Sequence, residues 1–232
     1  MTLSNLIEAT RRAFGEDTAS RSQIDDTDLT QYMNAYLQNL TNRAMTVAAS
    51  AGVPIPGGNL PRFDMWKTVV TSSTSTATGL QIAASSSVAY LPPEYDRTIS
   101  WWDNTAHRKL EVVRDTAKFH SDLRTAKPGL PRAVEILDFT TVSSVWRRQA
   151  TLYPATPTGM TPSIELTYYR LPAVLDNTTP TTSYPDIDPK HQWVIVNGVV
   201  AELMKPSDPA YEKFSAAEQA GIVALLKGGA GQ

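Results

Sequence analysis

TDLTQYMNAYLQNLTNRAMTVAASA, residues 27–51, is the stretch on which the reading of this chain turns. Leu29, Tyr32, Met33, Tyr36, Leu37, Leu40, Ala44, Val47 and Ala48 recur at steps of three and four, which lines one face of an α-helix. Asp25 and Asp26 stand where a cap and the positive dipole end favour carboxylates, and Gly52 with Pro54 stops the segment. At 1.5 Å per residue such a helix runs about 35–40 Å, more than a small domain needs. Upstream, residues 4–14 read as a shorter helix burying Leu3, Leu6, Ile7 and Phe14.

Beyond Gly57 the helical period disappears, and short alternating runs appear between Pro, Gly and Ser/Thr clusters. Leu80, Ile82 and Ala84 share one parity, as do Val88 and Tyr90, Ile99 and Trp101, and Ile164, Leu166 and Tyr168. Further strands are expected at 65–71, 110–113, 133–139, 144–153 and 164–170, with one or two helical turns at 116–124. Helical grammar returns with Asp188-Pro189 and Asp208-Pro209, each an N-cap followed by proline at the first helical position. The helix at 189–204, apolar through Trp193, Val194, Val196, Val199, Val200 and Leu203, is expected to be central. The helix at 209–227 adds Tyr211, Phe214, Ile222, Leu225 and Leu226, with Ala216, Ala217, Ala220 and Gly221 allowing close approach.

Helices, then strands, then helices give an α+β fold. Residues 1–56 and 186–232 are expected to form a helical bundle, and 57–185 an inserted antiparallel β-sandwich or barrel-like domain, since an amphipathic helix buries little alone.

The chain has 232 residues with 21 basic and 23 acidic side chains, a net charge of -2 and no cysteine. The size suits one domain or one domain split by an insertion. Near-neutral balance argues against electrostatic nucleic-acid binding, and the lack of cysteine excludes disulfides, thiolate metal sites and a thiol nucleophile. The N-terminal residues carry Glu8, Arg11 and Arg12 among apolar ones, unlike a secretory signal. Residues 193–204 are too short and interrupted to cross a bilayer. A protein made without export, with no membrane partner, is expected.

Chemical signatures are sparse. His107, His120 and His191 have no metal-ligand spacing. Asp186 and Asp188 resemble half of an oxygen-ligand metal site, but a helix cap at Asp188 is the simpler reading. No phosphate-cradling glycine loop and no GxSxG elbow occurs. Trp101, Trp102 and Asp103, with Tyr95 nearby, suggest a sugar-stacking platform; the plainer reading sends Trp101 into a core and Trp102 toward a rim or partner. Arg11-Arg12, Arg147-Arg148 and the His107-Arg108-Lys109 cluster read as solvated faces or as inter-subunit ion pairs. The expectation is a protein that is not an enzyme and has no cofactor or metal.

Local strings add a likeness: LPPEY at 91–95 before a strand, GLP at 129–131, LYP at 152–154, LTYYRLP at 166–172, and Tyr184-Pro185 leading to His191 and a small-residue apolar helix. With the order of elements, these resemble the head-to-tail adaptor proteins of tailed bacteriophages, the connector or tail-tubular-A-like group, over about 25–226. The resemblance implies a homo-oligomeric ring, commonly of twelve copies, in the virion neck. The ring would bind the portal protein above and the tail or nozzle protein below, and genomic DNA would pass through without being read. It also implies a C-terminal segment reaching up to the portal; this chain ends in GGAGQ.

A long helix with Tyr and Met on its stripe, and another with an Ala/Gly face, offer surface for a heterologous ring contact. Tyr32, Tyr36, Trp102, Arg147, Arg148, Tyr211 and Lys227 are the candidate interface residues. Other readings are a nozzle or completion protein and, from another class, a carbohydrate-binding module built on the two tryptophans.

Overall fold

The computed structural model describes residues 1–15, 24–53, 63, 66–74, 79–113 and 127–228, and it realises the helical grammar nearly where the periodicity puts it. The helices are α1 (Leu3–Phe14), α2 (Asp26–Ala51), α3 (Trp193–Leu203) and α4 (Tyr211–Gly228). Asp25 caps α2 by accepting from the Asp28 amide at 2.7 Å, with Asp26 and Asp28 in the first turn; Gly52, at φ 63°, closes it with its amide on the Ala48 carbonyl. Asp188 accepts from the Lys190 amide as a cap should, but Pro189–His191 forms a single 3-10 turn and α3 starts only at Trp193. Asp208 repeats the device, accepting from the Ala210 amide at 2.8 Å.

The chain forms two compact units, Met1–Trp66 with Pro172–Gln232, and Lys67–Leu171. In the first, α3 packs against α1, α2 and α4, and the core gathers Leu6, Met33, Tyr36, Leu40, Val199 and Ile222. Trp193 departs from expectation: it stands 55% exposed at the mouth of α3, while Val194 to Val196 and Gly198 to Val200 are buried. The segment read as the end of the β block instead serves this unit. Leu175 and Ile187 join its core. Its carbonyls at Ser183 and Pro180 accept the Leu3 and Ser4 amides at 2.8 and 3.0 Å, satisfying donors that a helix start leaves unpaired. Trp66 stacks edge-on against Phe63 and donates to the Asp186 carbonyl at 3.1 Å.

The second unit is one curled mixed sheet of β1 (Lys67–Thr71), β2 (Gln81–Ile82), β3 (Val88–Tyr90), β4 (Tyr95–Asp103), β5 (Arg108–Val113), β6 (Ala133–Val142), β7 (Val145–Tyr153) and β8 (Ile164–Arg170), in the order β1-β8-β4-β5-β6-β7-β3-β2. The expected all-antiparallel arrangement is corrected at one seam: β5 and β6 run parallel. A parallel pair needs a crossover of about a dozen residues or more, and 114–132 supplies the length. Edge pairing is unusual. Just past β1, Ser73 donates to the Leu80 carbonyl at 2.9 Å and accepts from the Ile82 amide at 3.0 Å, so the two ends of the sheet are stitched at one bridge.

Leu80, Ile82, Trp101, Val134, Leu152, Ile164 and Leu166 form the core of this unit. Ile164, Leu166 and Tyr168 are all buried, as their shared parity requires. In β3 the parity is the reverse of the sequence reading, because Ala89 points inward and Val88 and Tyr90 do not. Helical turns at 116–124, His120, Met65, residues 57–60 and the closing 229–232 lie outside the described residues.

Candidate interaction surface

Tyr32 and Tyr36 share one stripe of α2, yet the fold treats them in opposite ways. Tyr32 remains 41% exposed, whereas Tyr36 is wholly buried. The cause is Gly198 on α3: a β-carbon there would lie 2.0 Å from Cε2 of the Tyr36 ring, so only glycine leaves room for it. Arg43, two turns further along α2, sits 4.8 Å above the ring and pairs with Glu202 of α3 and with Glu218 of α4, the latter at 2.8 Å. The Tyr36 hydroxyl is buried with no hydrogen bond of normal geometry, and burial, then the Glu218 carboxylate, pushes its pKa well up. Tyr36 is therefore a core residue tying α2 to α3, whereas it was named above as an interface candidate. Of the α2 stripe only Tyr32 is left exposed, so the expected surplus of apolar surface there is consumed within the chain.

Tyr211 and Lys227 stand at opposite ends of α4, about 24 Å apart along its axis, and are not brought together. Among the doubled arginines, Arg11 pairs with Asp26 at 2.7 Å and also donates to the Ile24 carbonyl, while Arg12 pairs with Glu8 one turn back.

Arg147 and Arg148 separate because neighbours on a strand face opposite ways. Arg147 is buried, its guanidinium donating to the carbonyls of Leu91 (2.7 Å), Tyr90 (3.0 Å) and Gly79 and to Gln81 Oε1 (3.2 Å). It is the cross-tie that fastens β7 to the β3–β2 edge, and burial lowers its pKa. The solvated-face reading of Arg147 is corrected by this burial. Arg148 lies on the other face with its guanidinium 4.9 Å over the Phe139 ring.

That contact marks the exposed apolar surface the sequence reading missed. β6 and β7 form a hairpin closed by Ser143 and Ser144, both at positive φ (49° and 66°), as a two-residue turn of the type I′ kind requires. Phe139 pairs with Arg148 and Thr141 with Trp146, so Phe139, Trp146 and Arg148 share a face. Phe139 is 52% and Trp146 68% exposed, and Leu137 and Val145 of the same hairpin are exposed as well. A signal was present in 134–139: the apolar parity switches between Ile136 and Leu137, where β6 gains one residue against β7, so Phe139 keeps the face of Ile136 and Ala150 and carries it past the core to the exposed end of the hairpin.

The tryptophan platform does not assemble. Trp101 is buried and donates to Thr98 Oγ1 at 3.1 Å, whereas Trp102 is on the opposite face, 40% exposed, between Lys109 and Glu165 in register. Asp103 is buried, and its Oδ1 accepts the amides of Thr105 and Ala106 at 2.9 and 3.1 Å, closing the β4–β5 turn. No carboxylate is left beside two coplanar rings. Asp186 accepts the Ala173 amide at 2.8 Å and Asp188 caps its turn; among the described residues no three His, Asp or Glu side chains gather as metal ligands.

No helix among the described residues is long and apolar enough to cross a membrane. What the described residues present outward is chiefly aromatic side chains exposed on a hairpin. The family model described as SU10 adaptor protein matches residues 1–230. No curated protein matches the chain. Matched over nearly its whole length, the chain belongs to the SU10 adaptor protein family, a family of phage adaptors.

Proposed function

We propose that this chain is the subunit of a head-to-tail adaptor ring, of the connector or tail-tubular-A-like type, with twelve copies in the neck of a tailed phage. The ring joins the portal to the tail and forms part of the channel through which DNA leaves. The family match over residues 1–230 is the observation that carries this reading. Two features of the chain support it. The exposed Phe139 and Trp146 are the large, rigid side chains that anchor protein interfaces. A net charge of -2 suits a conduit that must release phosphates rather than hold them.

The helical stripe of α2 is not the subunit contact in this proposal, since the chain itself consumes it; the β6–β7 hairpin, Tyr32 and Trp102 are. Imaging of purified particles with antibody or tag on this chain, combined with subunit counting, tests the reading. Twelve copies at the neck are expected. Six copies at the lower tail would make it a nozzle component, and a location away from the neck would overturn the proposal.

A further inference from the structure

Behind the start of β6 lies a cavity of about 470 Å³ lined by Arg108, Lys127, Pro128, Gly129, Leu130, Arg132 and Pro154. Three lining side chains are cationic and none is acidic. Arg108 is held in place by donating Nε to the Pro131 carbonyl (3.2 Å) and Nη2 to the carbonyls of Leu130 (2.8 Å) and Pro131 (2.7 Å). Those partners are neutral, so they orient the guanidinium without cancelling its charge, and Nη1 has no partner among the described residues. Asp103 lies opposite Arg108 in register, but its Oδ1 serves two turn amides and it makes no ion pair with Arg108. Lys127 and Arg132 are exposed, with no carboxylate partner among the described residues. A chain that is acidic overall thus keeps around one concavity three cations that no described carboxylate pairs with.

We propose that this pocket is a docking site for an acidic protein segment, with one Asp or Glu carboxylate seated between Arg108 and Arg132 and the adjoining chain lying on the walls of Pro128, Leu130 and Pro154. Planar guanidinium groups match a carboxylate with paired donors, and Lys127 adds a point charge at the rim. The ligand class follows from shape. Duplex DNA presents a convex line of phosphates and rewards a broad basic face, whereas a pocket with proline and leucine walls covers an extended peptide. The inference stands on the pocket and not on the adaptor reading, so subunit counting and the binding test below fail independently.

The test uses the full chain and fluorescein-labelled acetyl-hexaglutamate followed by anisotropy. Saturable binding is expected, weakening as salt is raised, and at least tenfold weaker in the K127E/R132E double variant. Both positions are exposed, so circular dichroism should be unchanged. A second double variant, K67E/R97E, carries the same charge change within the same unit on β1 and the start of β4, several strands or residues from the pocket, and should bind within about twofold of the parent chain. Four results overturn the proposal: no saturable binding, equal loss in both double variants, displacement of the peptide by inorganic phosphate at equal concentration, or tighter binding of a short DNA duplex through Lys127 and Arg132.

Discussion

Gly198→Ala is the most informative single change in the helical unit. The added methyl would lie 2.0, 2.5 and 2.8 Å from Cε2, Cζ and Cδ2 of Tyr36. Ordinary carbon contacts sit at roughly 3.5–4.0 Å, so the ring or α3 must move by about 1.5–2 Å. The ring has little freedom, being wholly buried beneath Arg43, which in turn holds Glu202 and Glu218. Overpacking a core costs about 1–3 kcal/mol and occasionally more, and three overlapping ring atoms put this case at about 3 kcal/mol or above. Against this, Ala gains about 1 kcal/mol over Gly inside a helix. The expected net loss is about 2 kcal/mol or more, equivalent to a fall in Tm of about 8 °C for a unit of this size.

Because the chain has two units, hydrogen exchange read peptide by peptide is the right assay: protection should fall in α2 and α3 and hold in β6 and β7. Pairing the substitution with Tyr36→Leu should recover at least about 1 kcal/mol relative to the sum of the single changes. Gly221→Ala is the matched control, since its β-carbon meets Val194 at 3.2 and 3.3 Å and needs only a few tenths of an ångström, so helix propensity should make it close to neutral. A Gly198→Ala chain as stable as the parent, or more so, would refute the argument that this glycine exists to seat Tyr36.

Arg147→Ala should cost the β unit about 2–4 kcal/mol in urea unfolding by stranding the acceptors at Leu91, Tyr90 and Gly79, and Arg147→Lys should recover little because an ammonium lacks the planar fork. The double change Phe139→Ala with Trp146→Ala should leave stability within about 0.5 kcal/mol per exposed site, yet reduce incorporation into particles at least tenfold, measured by quantitative mass spectrometry of purified virions. Hydrogen bonds from Thr178 hold the Asp176 carboxyl below its ordinary value of 3.8, so its contribution is complete above that pH and is lost as pH falls through the lower folded value. Protection of the Leu3 and Ser4 amides, which rest on carbonyls of the same loop, should then drop at pH 2.5 relative to pH 5 after correction for intrinsic rates, and Asp176→Asn should show the drop already at pH 5.

How far the sequence could be read follows from the range of the forces involved. The bounds of α1 and α2 were legible because caps and a 3.6-residue stripe are local, and Asp25, Gly15 and Gly52 each act within a few residues. The strand positions were legible for the same reason. Which strand lies beside which was not, since the β5–β6 seam depends on a crossover whose path no alternation records. The candidate surface suffered most. Periodicity assigns Tyr32 and Tyr36 the same angle on α2, but their fates differ because Gly198, far away in the chain, opens a recess for one of them. Arg147 and Arg148 differ by one step of the pleat, and the acceptors that hold Arg147 come from Gly79, Gln81, Tyr90 and Leu91, in or beside β2 and β3. Phe139 and Trp146 went unnoticed since apolar residues in a strand are ordinarily assigned to the core, and nothing in the alternation says that their end of the hairpin runs beyond the residues that would cover it. Amphipathic surplus therefore points to interface only after intrachain partners have been subtracted. In this chain the subtraction removes the helical stripe and leaves the tip of a hairpin, so the subunit contact should be sought where a sheet face runs on past its core rather than where the hydrophobic period is strongest.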